Sequence, residues 1–332
     1  MSIILPLIEN VIILFVMMIP GIVLKKCRLV TEEFGKGISN LVLYIAQPAL
    51  ILYAYVAYEG EGNILVNSLW VLLFSVVAHV IFAAVALLCF RRAEDSRRRM
   101  LRFATVFSNA AFMGIPLISV LLGPEATIYA SVYNITFNVF LWSLGVYFCT
   151  AKRDEDGDGT PDGEDKPRYS ISPWKVALHP VNVAAAIGIV LLACGLHTHV
   201  PVILLDCLDM LRALVAPLAM VVIGLRVAGM SFRGAFRDTY LYLFLVLRHF
   251  LLPLAVLVLF FGFKLVGLPM SETVVTVVLL LAATPAATSA TMFAEKYECD
   301  ATYTSRTVTI STLLSVVSMP LLVMLADVML KW

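Results

Sequence analysis

Ten runs of about 20 mostly apolar residues fill this chain, and that length is what a helix needs to cross a bilayer core of about 30 Å. They cover residues 3–24, 38–57, 67–90, 103–122, 126–149, 174–196, 202–228, 239–263, 273–294 and 304–330. The fourth and ninth are the least apolar, being rich in Gly, Ala, Ser, Thr and Pro. Of the 332 residues 61% are hydrophobic and only 14% charged, and the mean hydropathy is +0.94. A soluble domain needs a largely polar skin that this mixture cannot supply, whereas lipid as solvent removes the difficulty. The first run carries Glu9, lacks a basic stretch before it and is long enough to span, so it reads as a span and not as a cleavable signal peptide.

Charge placement tests the count. With the N-terminus outside, the inner segments and their edges hold Lys25, Lys26, Arg28, Lys36, Arg91, Arg92, Arg97, Arg98, Arg99, Arg102, Lys152, Arg153, Lys166, Arg168, Lys175, Arg226, Arg233, Arg237, Lys296 and Arg306, which is 20 of the 24 Lys and Arg. Arg212, Lys264 and Lys331 fall toward the outer face, and Arg248 falls within a span. Cytoplasmic segments of membrane proteins carry this excess, so the reading is ten spans with both termini outside, in a plasma (inner) membrane.

Residues 150–173 form the one long loop, polar and on the cytoplasmic side, and they divide the chain into residues 1–149 and 174–332, five spans each. The halves look like repeats. Pro48 and Pro217 are 169 residues apart, and so are Pro116 and Pro285. Five is odd, so the repeats lie in opposite orientations, an arrangement typical of secondary transporters. The expected fold is therefore all-α and integral to the membrane, ten helices in two inverted five-helix repeats.

The fourth span contains Ser108, Asn109, Gly114 and Pro116; the ninth contains Thr284, Pro285, Thr288 and Ser289. Proline removes a backbone donor and glycine loosens the turn, so each helix is expected to break and to face protein or a water-filled cavity. Two breaks brought together by inversion would aim two half-helix N-termini at one point. Such termini attract anions, each contributing about 0.3–1 kcal/mol. The bland alternative is a packing kink in each span.

Arg248 lies roughly 14–16 Å along the eighth span from Thr239, near mid-depth, with His249 beside it. A charge there faces the protein interior or water. It reads as a cation that sets carboxylate preference, as an arginine holding the carbonyls of a broken helix, or as one snorkelling from a span whose boundary lies elsewhere. Gln47 beside Pro48 reads equally as a substrate contact or as a partner of its own helix. Asn134 and Asn138 share a face of the fifth span, where interhelical hydrogen bonding is the simpler role.

Glu9, Glu125, Asp206, Asp209, Glu272 and Asp327 all sit toward outer ends, which argues against a proton antiporter built on a mid-membrane carboxylate pair. In the loop, Asp154, Asp156, Asp158, Asp162 and Asp165 have calcium-loop spacing, but no amphipathic helices flank them, and a solvated acidic linker is the better reading. The six cysteines show no metal or redox spacing. No cofactor and no nucleic-acid partner are expected.

The stretch Asn40-Leu-Val-Leu-Tyr-Ile-Ala-Gln-Pro-Ala-Leu50, with Gly21 before Lys25-Lys26, resembles the opening of the auxin efflux carrier family. Its bacterial members are often called malate or malonate permeases. Ser108-Asn-Ala-Ala-Phe-Met-Gly-Ile-Pro-Leu117 is similar to its fourth-span signature, and Phe293-Ala-Glu-Lys-Tyr297 with Ser311-Thr312 to its C-terminal one. The resemblance runs over nearly the whole chain. It implies the fold of bile-acid symporters and related antiporters, with spans 1, 2, 6 and 7 as a dimerising scaffold and spans 3–5 and 8–10 as a moving transport unit. It also implies elevator-like motion, anionic substrates that are often carboxylates, and a crossover site at Asn109, Pro116 and Pro285. Arg248-His249 has no clear family counterpart, and the central loop is much shorter than in the plant carriers.

The leading expectation is thus a secondary transporter of small organic anions such as malate, malonate or auxin-like acids. The rival in the same class is a sodium-coupled organic-anion symporter. An intramembrane enzyme or receptor is the rival of another class, but no H-E-x-x-H, G-x-S-x-G or paired catalytic carboxylates appear.

Overall fold

A computed structural model describes residues 4–60, 63–150, 173–230, 237–267 and 270–330. The calcium-loop candidates Asp154 to Asp165 lie outside these residues. Among the described residues the secondary structure is helical, with one isolated antiparallel bridge, Ser108 to Ala286.

Among the described residues seven helices are long and apolar enough to cross a membrane: Ile8–Lys26, Glu33–Val56, Ile64–Leu88, Ala110–Thr150, Val202–Ala228, Thr239–Leu265 and Ala301–Met329. Two apolar helices, Pro180–Ala193 and Glu272–Ala283, are shorter. Two of the differences from ten uninterrupted runs have local causes. Ala110–Thr150 is 41 residues, about 60 Å of helix and twice a bilayer core, and it bends at Gly123, whose φ of 78° is open to glycine alone at little strain. Pro124 follows and cannot continue the hydrogen-bond ladder. In the sixth run, Pro180 starts the helix, so the apolar stretch is divided into Pro173–Ala177 and Pro180–Ala193. The fourth and ninth runs are interrupted outright.

Helix Ile64–Leu88 shows how the chain is solvated. Val71, Phe74, Ser75, Ala78, His79, Phe82 and Ala86 recur at helical spacing and are buried against the rest of the protein. The opposite face is no more polar: Leu69, Leu72, Leu73, Val76, Val80 and Leu88 are exposed. The same holds for Ile203 and Met210, which are 75% and 74% exposed. In water such a surface would associate at once; in lipid it is the solvated side.

Close helix approach is made with glycine. A Cβ on Gly21 would lie 2.1 Å from the Val221 carbonyl oxygen, and one on Gly224 would lie 2.1 Å from that of Met18. Helices Ile19–Lys26 and Val215–Ala228 therefore meet backbone to backbone, a contact that only small residues permit. Helix Pro180–Ala193 packs on Gln47–Val56, where the Tyr55 ring lies over Gly188.

Candidate functional site

The two interrupted helices meet in the buried interior. Helix Asp95–Val106 ends, residues 107–109 leave the helix with Phe107 extended and Ser108 in a bridge to Ala286, and a π-helical turn Ala110–Gly114 restarts the chain. Helix Glu272–Ala283 ends likewise, and after residues 284–288 the chain re-enters helix at Ser289–Lys296. The extended pieces pair antiparallel: Asn109 N–H donates to the Pro285 carbonyl at 2.7 Å, and Ala287 N–H donates to the Phe107 carbonyl at 2.9 Å. Unwound backbone is costly in hydrocarbon, and here each strand supplies the other's partners.

The remaining polar groups are met by side chains. Arg248, fully buried, directs Nη1 to the Thr105 carbonyl at 3.1 Å and Nη2 to that of Ala282 at 3.0 Å. Its Nε and Nη2 both reach the Thr284 carbonyl, at 3.1 and 2.7 Å. One guanidinium thus holds the C-terminal carbonyls of both interrupted helices, a task suited to its rigid fork of donors. The Ser311 hydroxyl accepts from Ala286 N–H at 3.0 Å and contacts His249 Nε2 at 2.9 Å, while His249 Nδ1 contacts the Ser318 hydroxyl at 2.8 Å. Arg226 donates to the Thr288 carbonyl at 2.7 Å.

The opposite ends of the interruption are different. Asn109 and Thr288 stand at the N-caps of the restarting helices, and neither makes a side-chain cap bond. Asn109 is 2% exposed and its Nδ2 has no hydrogen-bond partner among the described residues. Gln47 donates through Nε2 to the Ala111 carbonyl in the first turn after the break, which leaves its buried Oε1 without a partner. Two unused amide groups, one donor and one acceptor, therefore belong to residues around the N-terminal end of one half-helix.

The other sequence candidates fall around this crossing. Ser108 is buried beside the Tyr133 phenol. Gly114 is pressed against the second interrupted helix, where a Cβ would meet Leu281 Cδ2 at 2.5 Å and Thr284 Cγ2 at 3.2 Å. Pro285 lies inside the second interruption, and Ser289 opens the helix that follows. Pro116 does not lie in the first interruption; it sits in the first turn of helix Ile115–Phe140, where its missing N–H costs little. Asn138 turns instead to Asn182, donating Nδ2 to Oδ1 at 3.1 Å across to helix Pro180–Ala193.

His79 escaped the sequence reading. It is fully buried, its Nδ1 lies 2.7 Å from the Ser75 carbonyl, and that contact makes Nδ1 the donor. Nε2 is then a lone-pair acceptor with no partner among the described residues, in a box of the Phe107, Tyr133, Phe137 and Phe140 rings. The one signal available was its 169-residue separation from Arg248, the offset of the proline pairs. Among the described residues no group of three His, Cys, Asp or Glu could hold a metal ion.

A crossing of two unwound segments among apolar helices is an architecture shared by many transporters. The sequence profile that describes a membrane transport protein matches residues 6–323 of this chain. The chain belongs to that family, the auxin efflux carriers. It is also 24% identical over 315 residues to an uncharacterized transporter of Methanothermobacter thermautotrophicus, a match covering 94% of this chain and 96% of that protein. The protein is a multi-pass membrane transporter, and family and relative both point away from an enzyme.

Proposed function

We propose that the crossing binds a small organic anion, most simply a carboxylate, and that the protein carries it across the membrane by alternating access. The observation that carries this reading is an asymmetry of the crossing. Its helix C-terminal ends are closed by Arg248, whereas the N-terminal ends at Asn109 and Thr288 have no side-chain caps. N-terminal ends carry about half a positive charge each, so what they lack is a negative partner. Asn109 Nδ2 offers a donor beside that charge and Gln47 Oε1 an acceptor for a substrate hydroxyl.

The ten-span, inverted-repeat topology belongs to the same proposal. It is supported by the double length of Ala110–Thr150, by the two shorter apolar helices, and by the antiparallel pairing of the interruptions. An elevator-like motion would move the crossing, with spans 3–5 and 8–10, past a scaffold of spans 1, 2, 6 and 7. The backbone contact of Gly21 with Gly224 suits a rigid scaffold, and exposed apolar residues such as Ile203 and Met210 suit a face for lipid or for a second copy. A plasma-membrane location with both termini outside belongs to the same proposal, and the charge pattern supports that orientation.

The test is uptake into proteoliposomes of labelled malate, malonate, pyruvate and indole acetate, with a primary amine and a neutral sugar of similar size as controls. Uptake of one or more acids above the controls supports the reading. Uptake of the amine or sugar alone would sink it.

A further inference from the structure

We infer that Arg248 is a built-in counter-charge occupying the position that a coupling cation would take at the crossing, so that substrate binding needs no sodium ion. The inference rests on the reading of the crossing as the transport site. Transporters with discontinuous helices coordinate their coupling ions with unwound carbonyls and half-helix C-termini. Here the corresponding carbonyls, those of Thr105, Ala282 and Thr284, all point at one guanidinium, within 2.7–3.1 Å.

The charge balance is close. Two half-helix C-termini at about half a negative charge each are matched by one fixed positive charge. A sodium ion would have to displace Arg248 to reach the same oxygens. Among the described residues no aspartate or glutamate is buried, so no carboxylate at the crossing offers a cation a second place. The arginine is also anchored against displacement. Its guanidinium carbon lies 5.7 Å from the centre of the Phe82 ring, and helices contributed by residues 105, 248 and 282–284 converge on it. Arg248 is therefore a positioning residue: it fixes the two interruptions in register and leaves their N-terminal ends to the substrate.

The test needs no substrate, so its failure is separate from failure of the transport reading. The full chain is purified in detergent as wild type, Arg248→Lys and Arg248→Met, and Tm is followed while choline is replaced by sodium or potassium, or guanidinium is added at millimolar concentration. Wild type is expected to show the same Tm in sodium, potassium and choline. Arg248→Met should melt lower and recover on adding guanidinium, which fills the vacated place, whereas wild type should gain nothing. A merely space-filling arginine would be replaced by methionine without any guanidinium response. If Arg248→Met does not survive purification, Arg248→Lys decides: it should melt below wild type, because an ammonium on a flexible stem lacks the fixed fork of donors that meets these carbonyls, four bonds in all. A sodium-specific rise in wild-type Tm, a guanidinium-blind Arg248→Met, or an Arg248→Lys as stable as wild type would each overturn the inference.

Discussion

The two interruptions perform one task by different means. The second contains its own cause: Pro285 stands inside residues 284–288 and blocks a continuous helix there. The first contains no proline or glycine in residues 107–109, and Pro116 lies beyond it in an intact helical turn. What unwinds the first is its partner, through the Asn109 to Pro285 and Ala287 to Phe107 hydrogen bonds. One break is thus imposed by local chemistry and the other by tertiary pairing. The pair should fail together when the shared elements are removed and separately when the private ones are.

The largest shared effect is expected at Arg248. Arg248→Met orphans three buried carbonyls, each costing about 1–3 kcal/mol, so the loss should be on the order of 3 kcal/mol or more. Thermal or denaturant unfolding in detergent would read it, and a loss below about 1 kcal/mol would separate the breaks from their common cap.

Ser311→Ala strikes the second interruption alone. It removes the acceptor of Ala286 N–H and one partner of His249, for an expected loss of about 2 kcal/mol. Gly114→Ala acts where the two halves touch. Leu281 Cδ2 is the tip of a flexible side chain that can give, and Thr284 Cγ2 at 3.2 Å needs only a small shift, so overpacking should cost about 1 kcal/mol. Leu281→Ala in the same chain should recover part of that cost, and a double-mutant cycle without coupling would contradict the contact.

The smallest effect is expected at Pro116→Ala, about 0.4–1 kcal/mol through the freer unfolded chain. Pro285→Ala should cost more, because it adds an N–H in the middle of the pairing. Equal stabilities for the two variants would erase the distinction between a local and a tertiary break.

The same distinction explains what the sequence disclosed. Apolar runs and the poverty of runs four and nine are local properties, so helices and two weak points were legible without coordinates. Proline misplaced the first weak point by several residues, since Pro116 is as comfortable in a helical first turn as in a break. Hydropathy demands that Arg248 avoid lipid, but its acceptors stand 34, 36 and 143 residues away, and no local pattern names them. His79 is one histidine in a greasy helix, with nothing local to single it out; its unused Nε2 becomes visible only when Phe107, Tyr133 and Phe140 surround it.

The central claim is that the uncapped N-terminal ends of the crossing hold an organic anion, and Asn109 tests it most directly. Its backbone secures the pairing while its side-chain donor is unused, so Asn109→Ala should keep the fold and its Tm. The measurement is equilibrium binding of a transported carboxylate to purified wild type and Asn109→Ala. The account predicts at least about a tenfold weaker affinity for the variant, roughly 1.4 kcal/mol. Unchanged affinity in a variant of unchanged Tm would contradict it.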